Sequence, residues 1–130
     1  MDNEKDVVKK ETGLGTIRVA DEVVSIIAGL ATTEVDGIAG MSGGIAGGIA
    51  EILGRKNFSK GVKVEVGEKE AAVDLYIIVK YGIRIPEVAL AAQENVKRAI
   101  ETMTGLTVVE VNVHVQGVGF LSPLEHTTFE

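Results

Sequence analysis

Val109-Glu110-Val111-Asn112-Val113-His114-Val115-Gln116 sets valine on every second position, with Glu, Asn, His and Gln between. Successive side chains of a strand point to opposite faces, so this stretch predicts a strand with one apolar and one polar face. Two stretches upstream follow the same grammar. Val62, Val64 and Val66 alternate with Lys63 and Glu65, while Val73, Leu75, Ile77 and Val79 alternate with Asp74, Tyr76 and Lys80, broken by Ile78. The short polar link Gly67-Glu68-Lys69-Glu70 between them predicts a β-hairpin. Strands with a single apolar face build an antiparallel or mixed sheet that is covered on one side only.

The cover must be helical. Asp21 and Glu22 open a segment in which Val23, Ile26, Ile27, Leu30 and Ala31 recur at helical spacing, with Val24 and Ala28 widening the stripe. Acids suit the positive end of a helix dipole. Pro86 stands where a second helix starts and Gly105 where it stops, with Val88, Ala92, Val96, Ala99, Ile100 and Met103 marking its buried face. Glu94 and Arg98 form an i, i+4 pair on its outer side. A short strand over 15–19, with Ile17 and Val19 facing inward, precedes the first helix, and 35–41 reads as another. The expected fold is α+β: a two-layer sandwich, its mostly antiparallel or mixed sheet carrying helices on one face. A single domain is expected over 14–119, between a flexible charged tail at 1–13 and a loosely attached tail at 120–130.

Composition narrows the function. The 130-residue chain is 45% hydrophobic but only 4% aromatic and lacks Trp, so Val, Ile, Leu and Ala must build the core. It has no Cys, which excludes disulfides, thiolate metal sites and Cys nucleophiles. A net charge of -6 argues against nucleic-acid binding, which relies on Lys and Arg at phosphates. The N-terminus has no apolar core of a signal peptide, and the longest uncharged stretch, 37–50, is shorter than the roughly 20 apolar residues a bilayer span needs. A cytoplasmic location without a direct membrane span is expected.

The Gly-rich segment 37–61 is the unusual part. Within it Ile45, Ile49, Ile52 and Leu53 keep helical spacing, which predicts a helix over about 42–54. Its glycines fit neither phosphate-binding nor dinucleotide-binding patterns: Gly48 to Gly54 has one residue too many before Arg55-Lys56-Asn57, and no GxGxxG follows a strand. Gly40, Gly44 and Gly48 would instead form a flat strip for internal packing or for docking a partner. Arg55 and Lys56 beside it could hold a small anion. On the polar sheet face, Tyr76 and Ile78 are candidates for contact with another chain. His114 near Glu110 or Asp74 could form an acid–base pair or half a metal site, but the polar face of a half-exposed strand carries such residues by default and no third ligand is indicated. No catalytic, cofactor-binding or metal-ligating residue is assigned.

A resemblance adds to this reading. Gly15-Thr16-Ile17-Arg18-Val19-Ala20-Asp21-Glu22-Val23-Val24, Val35-Asp36-Gly37-Ile38, Gly61-Val62-Lys63-Val64, Val79-Lys80-Tyr81-Gly82, Gln93-Glu94-Asn95-Val96, Met103-Thr104-Gly105-Leu106 and Val111-Asn112-Val113 together resemble the alkaline shock protein family of Gram-positive envelope-stress proteins. The resemblance covers roughly 14–120. It implies an α+β domain without catalytic residues or cofactors, cytoplasmic, self-associating as a homo-oligomer and in some members membrane-proximal through a partner. It also implies a link to fatty-acid synthesis, because one similar branch is commonly encoded beside acetyl-CoA carboxylase subunits. The expected function is that of a non-catalytic envelope-stress or lipid-metabolism accessory protein, with an envelope-associated or carboxylase-related protein partner. The alternative is a small-anion, acyl-CoA or nucleotide-binding regulator using the Gly-rich segment, Arg55 and Lys56.

Overall fold

A computed structural model describes residues 6–43 and 60–119. The helix expected over 42–54 falls, from residue 44 on, outside this range, and so do Gly44, Gly48, Arg55, Lys56 and the segment 120–130. The described elements are β1 (Asp6–Thr12), β2 (Gly15–Ala20), α1 (Asp21–Thr33), β3 (Ile38–Met41), β4 (Val62–Val66), β5 (Glu70–Lys80), α2 (Ile85–Thr104) and β6 (Thr107–Gly119).

β5 organises the main sheet. β4 returns antiparallel along it from Val62 opposite Leu75 to Val66 opposite Ala71, as the polar link 67–70 requires of a hairpin. β3 pairs antiparallel with the other half of β5, Met41 opposite Ile77 and Ile38 opposite Val79. The N–H of Ser42 donates to the Tyr76 carbonyl and the Tyr76 N–H donates to the Gly61 carbonyl, each at 2.8 Å. A strand residue presents both backbone groups to one side, so β3 and β4 lie end to end on one edge of β5. β6 runs parallel to β5 on the opposite edge, with Asp74 opposite Asn112 and Tyr76 opposite His114. A parallel neighbour needs a crossover, which α2 supplies. The mixed sheet and the α+β sandwich agree with the sequence reading.

The core lies between this sheet and the two helices. Val73, Leu75, Ile77 and Val79 of β5 are no more than 1% exposed, and Val24, Ala28, Ala92, Val96 and Ile100 meet them fully buried. Each such Val, Leu or Ile side chain contributes about 1.5–3 kcal/mol by leaving water. Asn95 on α2 joins the helices: its Nδ2 donates to the Ala31 carbonyl at 2.8 Å, satisfying one of the acceptors left open in the last turn of α1. α2 ends at Gly105, whose φ of 82° is the left-handed conformation expected there.

Four details depart from the sequence reading. The charged stretch expected as a tail is, from Asp6 to Thr12, strand β1, paired with β2 through Lys9 opposite Arg18 and Thr12 opposite Gly15. A ladder is made of backbone bonds and does not require an apolar composition; Val8 packs on the core edge and anchors it. Because the β1–β2 hairpin forms its own two-stranded sheet, Ile17 is exposed rather than inward. In α1 the inward stripe is Val24, Ile27, Ala28 and Ala31, leaving Val23 and Leu30 each 41% exposed. Apolar residues nearly surround that helix, so its rotation is set by packing against α2 and the sheet. Met103, in the last turn of α2, is likewise exposed.

Candidate functional site: the open face of the sheet

Alternation along β5 and β6 sends Asp74, Tyr76, Glu110, Asn112 and His114 to the face opposite the helices. The parallel register, with β6 beside β5, makes neighbours of Asp74, Asn112 and His114. His114 Nε2 lies 3.1 Å from Asp74 Oδ1, and Asn112 Nδ2 donates to the same oxygen at 3.1 Å and to Glu110 Oε2 at 2.7 Å. The imidazole stacks on the Tyr76 ring, with centroids 4.5 Å apart and planes 13° from parallel. At the far end of the face, Ser42 Oγ donates to Gln116 Oε1 at 2.9 Å, tying β3 to β6 across β5.

This arrangement has an electrostatic signature. The hydrogen bonds from His114 and then Asn112 hold the Asp74 carboxyl below its ordinary value, assisted by the charge of Lys63 and opposed by partial burial. Asp74 is therefore a carboxylate over the whole neutral range, and its preferred partner is a donor. His114 is fixed from two sides, by Asp74 and by the Tyr76 ring. Among the described residues no group of three or more His, Asp or Glu is placed to hold a metal ion. The Asp74–His114 pair is one of the two pairings the sequence offers for half of a metal site or an acid–base pair, and its neighbours here are an aromatic ring and an amide.

The remaining candidates separate. Tyr76 and Ile78 are half-buried on this face, and Ile78 lies against Gly117 and Gly119, where an added Cβ would meet its side chain at 3.6 and 3.7 Å. Gly40 sits in strand β3 opposite Ile78, with open space around the position of a Cβ. It is therefore not part of a helical glycine strip. Asn112, which bridges two carboxylates, stands in the sequence only as one polar position of an alternating strand. Its i, i+2 relation to Glu110 and His114 is readable on a strand, but its contact with Asp74 depends on register.

Among the described residues, the fold and this face define a small α+β domain whose sheet is covered on one side and presents an ordered polar cluster on the other. The chain belongs to the alkaline shock protein 23 family, described as having a cell envelope-related function, and the match spans residues 9–120. The YqhY protein of Bacillus subtilis (strain 168) is 41% identical over 111 residues, covering 85% of this chain and 82% of its own length. YloU of the same organism is 40% identical over 118 residues, 89% of this chain and 98% of its own length. A protein of Streptococcus pyogenes serotype M3 named as a homologue of the stress response regulator gls24 is 36% identical over 102 residues, and the match covers 78% of this chain but 57% of that protein. Among solved structures, a variant of the MamM C-terminal domain superposes with a TM-score of 0.47 at 14% identity, covering 75% of this chain and 96% of that domain. None of the described helices is long and apolar enough to cross a membrane.

Proposed function

We propose that this chain is a non-catalytic accessory protein of an envelope-stress or lipid-metabolism process, acting through protein–protein contact and self-association. The family and the relatives named for stress regulation support the envelope and stress part of the reading. The observation that carries the contact part is the open sheet face: Tyr76, His114, Asp74 and Asn112 are locked to one another, so docking there loses little side-chain entropy. Such a preorganised aromatic and polar patch suits an interface, where rigid aromatics anchor contact. The chain would work in the cytoplasm, brought close to the membrane by its partner, and a link to fatty-acid synthesis through a carboxylase-related partner belongs to the same proposal.

The test is a quantitative pull-down from cells that express the tagged chain, combined with sedimentation of the purified protein. The expected result is an envelope-associated or carboxylase-related partner whose recovery falls at least tenfold with Tyr76→Ala and His114→Ala, in a protein that itself self-associates. A strictly monomeric protein that retains no such partner would overturn the reading.

A further inference from the structure

We infer that the free edge of β6, between Val111 and Val115, pairs antiparallel with the same edge of a second copy of this chain and joins two sheets into one. This rests on the self-association proposed above and names the surface that produces it.

The direction of the backbone groups decides which residues face outward. Tyr76 turns its N–H and C=O toward Ser42 and Gly61, so its neighbours Leu75 and Ile77 turn theirs toward β6. In a parallel ladder, Leu75 bonds the residues flanking its register partner Val113, which are Asn112 and His114. Val111, Val113 and Val115 therefore point their backbone groups away from β5. The Val111 carbonyl accepts from Gln93 Nε2 at 2.8 Å, as that orientation requires. Among the described residues, β6 pairs with no strand but β5.

The edge is guarded at its start and, at one atom, at Val111, whose carbonyl already takes Gln93 and keeps its second lone pair for a partner strand. At the start of β6, Glu101 takes the Val108 N–H and Lys97 donates to the Val108 carbonyl, each at 2.9 Å. The ladder irregularities lie at Val109 and around Gln116, outside the run Val111–Val115. That run holds no Pro and no Lys, the usual means of blunting an edge, and alternates β-branched residues. Helix cover thins along it: Val108 is 3% exposed, Val111 and Val113 are half-buried, and Val115 is 36% exposed. The opposite edge is a poorer template, because it is broken between Ser42 and Gly61 and carries Lys63 and Glu65.

Charge and symmetry favour a second copy as the occupant. A two-fold axis makes like edges antiparallel. Centred on Asn112, the pairing sets Glu110 opposite His114 of the partner subunit; centred on Val113, it sets Asn112 there. Both registers oppose valine with valine on the helix side and place no carboxylate against a carboxylate. Registers nearer the start of β6 meet Lys97 and Glu101, already bonded to Val108.

Val113→Pro tests this, because it removes an N–H from the open side while the donors toward β5, on Asn112 and His114, remain. Sedimentation across a concentration range should show wild-type mass doubling and a Val113→Pro protein that stays at monomer mass with an unchanged far-UV spectrum. A folded Val113→Pro protein that associates like wild type overturns the edge assignment but leaves self-association standing, whereas a wild-type protein that never associates overturns both. Should the proline variant unfold, amide exchange on the wild type decides. Protection at Val113 and Val115 that rises with protein concentration supports the pairing; protection independent of concentration overturns it and assigns the edge to a cover within the same chain.

Discussion

Ser42 and Gly61 meet at the Tyr76 backbone, one donating to its carbonyl and the other accepting from its N–H, both at 2.8 Å. Two short strands thereby act as one edge. The junction is tight. A Cβ built on Gly61 would lie 2.8 Å from the Ser42 carbonyl oxygen and 2.9 Å from that of Tyr76, and Gly61 has a φ of 78°. Backbone oxygens in a ladder have nowhere to move, so Gly61→Ala combines a left-handed strain with a steric clash. It should cost clearly more than the roughly 1 kcal/mol of a helix-terminal glycine substitution. Gly105→Ala is the matched control, since its φ of 82° is similar but open space surrounds it. Urea denaturation of both variants measures the difference, and equal losses would contradict the tight junction.

The core makes a firmer quantitative prediction. Leu75 is fully buried at the centre of β5, within the core cluster that the sheet shares with α1 and α2. Leu75→Ala should destabilise the protein by about 2–5 kcal/mol, the range for removing a large aliphatic side chain from a close-packed interior. Leu30→Ala on α1 should cost about 1 kcal/mol or less, because Leu30 is 41% exposed. Equal losses in thermal or urea denaturation would show that α1 is rotated as its hydrophobic stripe alone predicts.

That contrast marks how far the sequence reading reaches. The alternation in β4, β5 and β6 identifies the strands and their polar face because one buried face forces period two. The hairpin between β4 and β5 is legible from its short polar link. The parallel placement of β6 is left open by alternation, which is identical in parallel and antiparallel pairs; only the crossover through α2 decides it. With it goes the candidate site, since Asp74 and Asn112 are brought together by register. β1 is invisible for a different reason: its ladder is built from backbone bonds under charged side chains, and composition reports on burial. The rotation of α1 is ambiguous because apolar side chains cover most of its circumference.

Two carboxylates give a dependence on acid. The Val108 N–H and then Lys97 hold the Glu101 carboxyl below its ordinary value, as His114 and Asn112 do for Asp74. A carboxyl with a lowered value in the folded state binds its proton more readily when unfolded. Its stabilising contribution is therefore complete above the ordinary carboxylate range, about pH 4, and is lost as pH falls through the lowered folded value. The wild-type melting temperature should fall on acidification below that range, and Glu101→Gln combined with Asp74→Asn should make that fall shallower while lowering the neutral plateau slightly. Melting curves from pH 7 to pH 2 check it; an unchanged acid limb in the double variant would place the acid sensitivity elsewhere.

Tyr76 and His114 offer the last and most discriminating measurement. Their rings stack at 4.5 Å on the open face, where each is accessible from solvent on at least part of its surface. Each single alanine variant removes the stacking, and the double variant removes nothing further from that contact. A double-mutant cycle on stability should therefore return a coupling of about 0.5–1.5 kcal/mol, the range for aromatic pairs. His114→Ala on its own should leave the fold intact, because the His114 side chain is exposed on the open face and the β5–β6 ladder is made by the backbone. If the stack is a preformed anchor for a partner, recovery of that partner should fall in both single variants, and the double variant should fall little further. Additive losses in recovery would mean that the two rings contact the partner independently, and a coupling near zero in the stability cycle would mean that the stack does not hold the face in order.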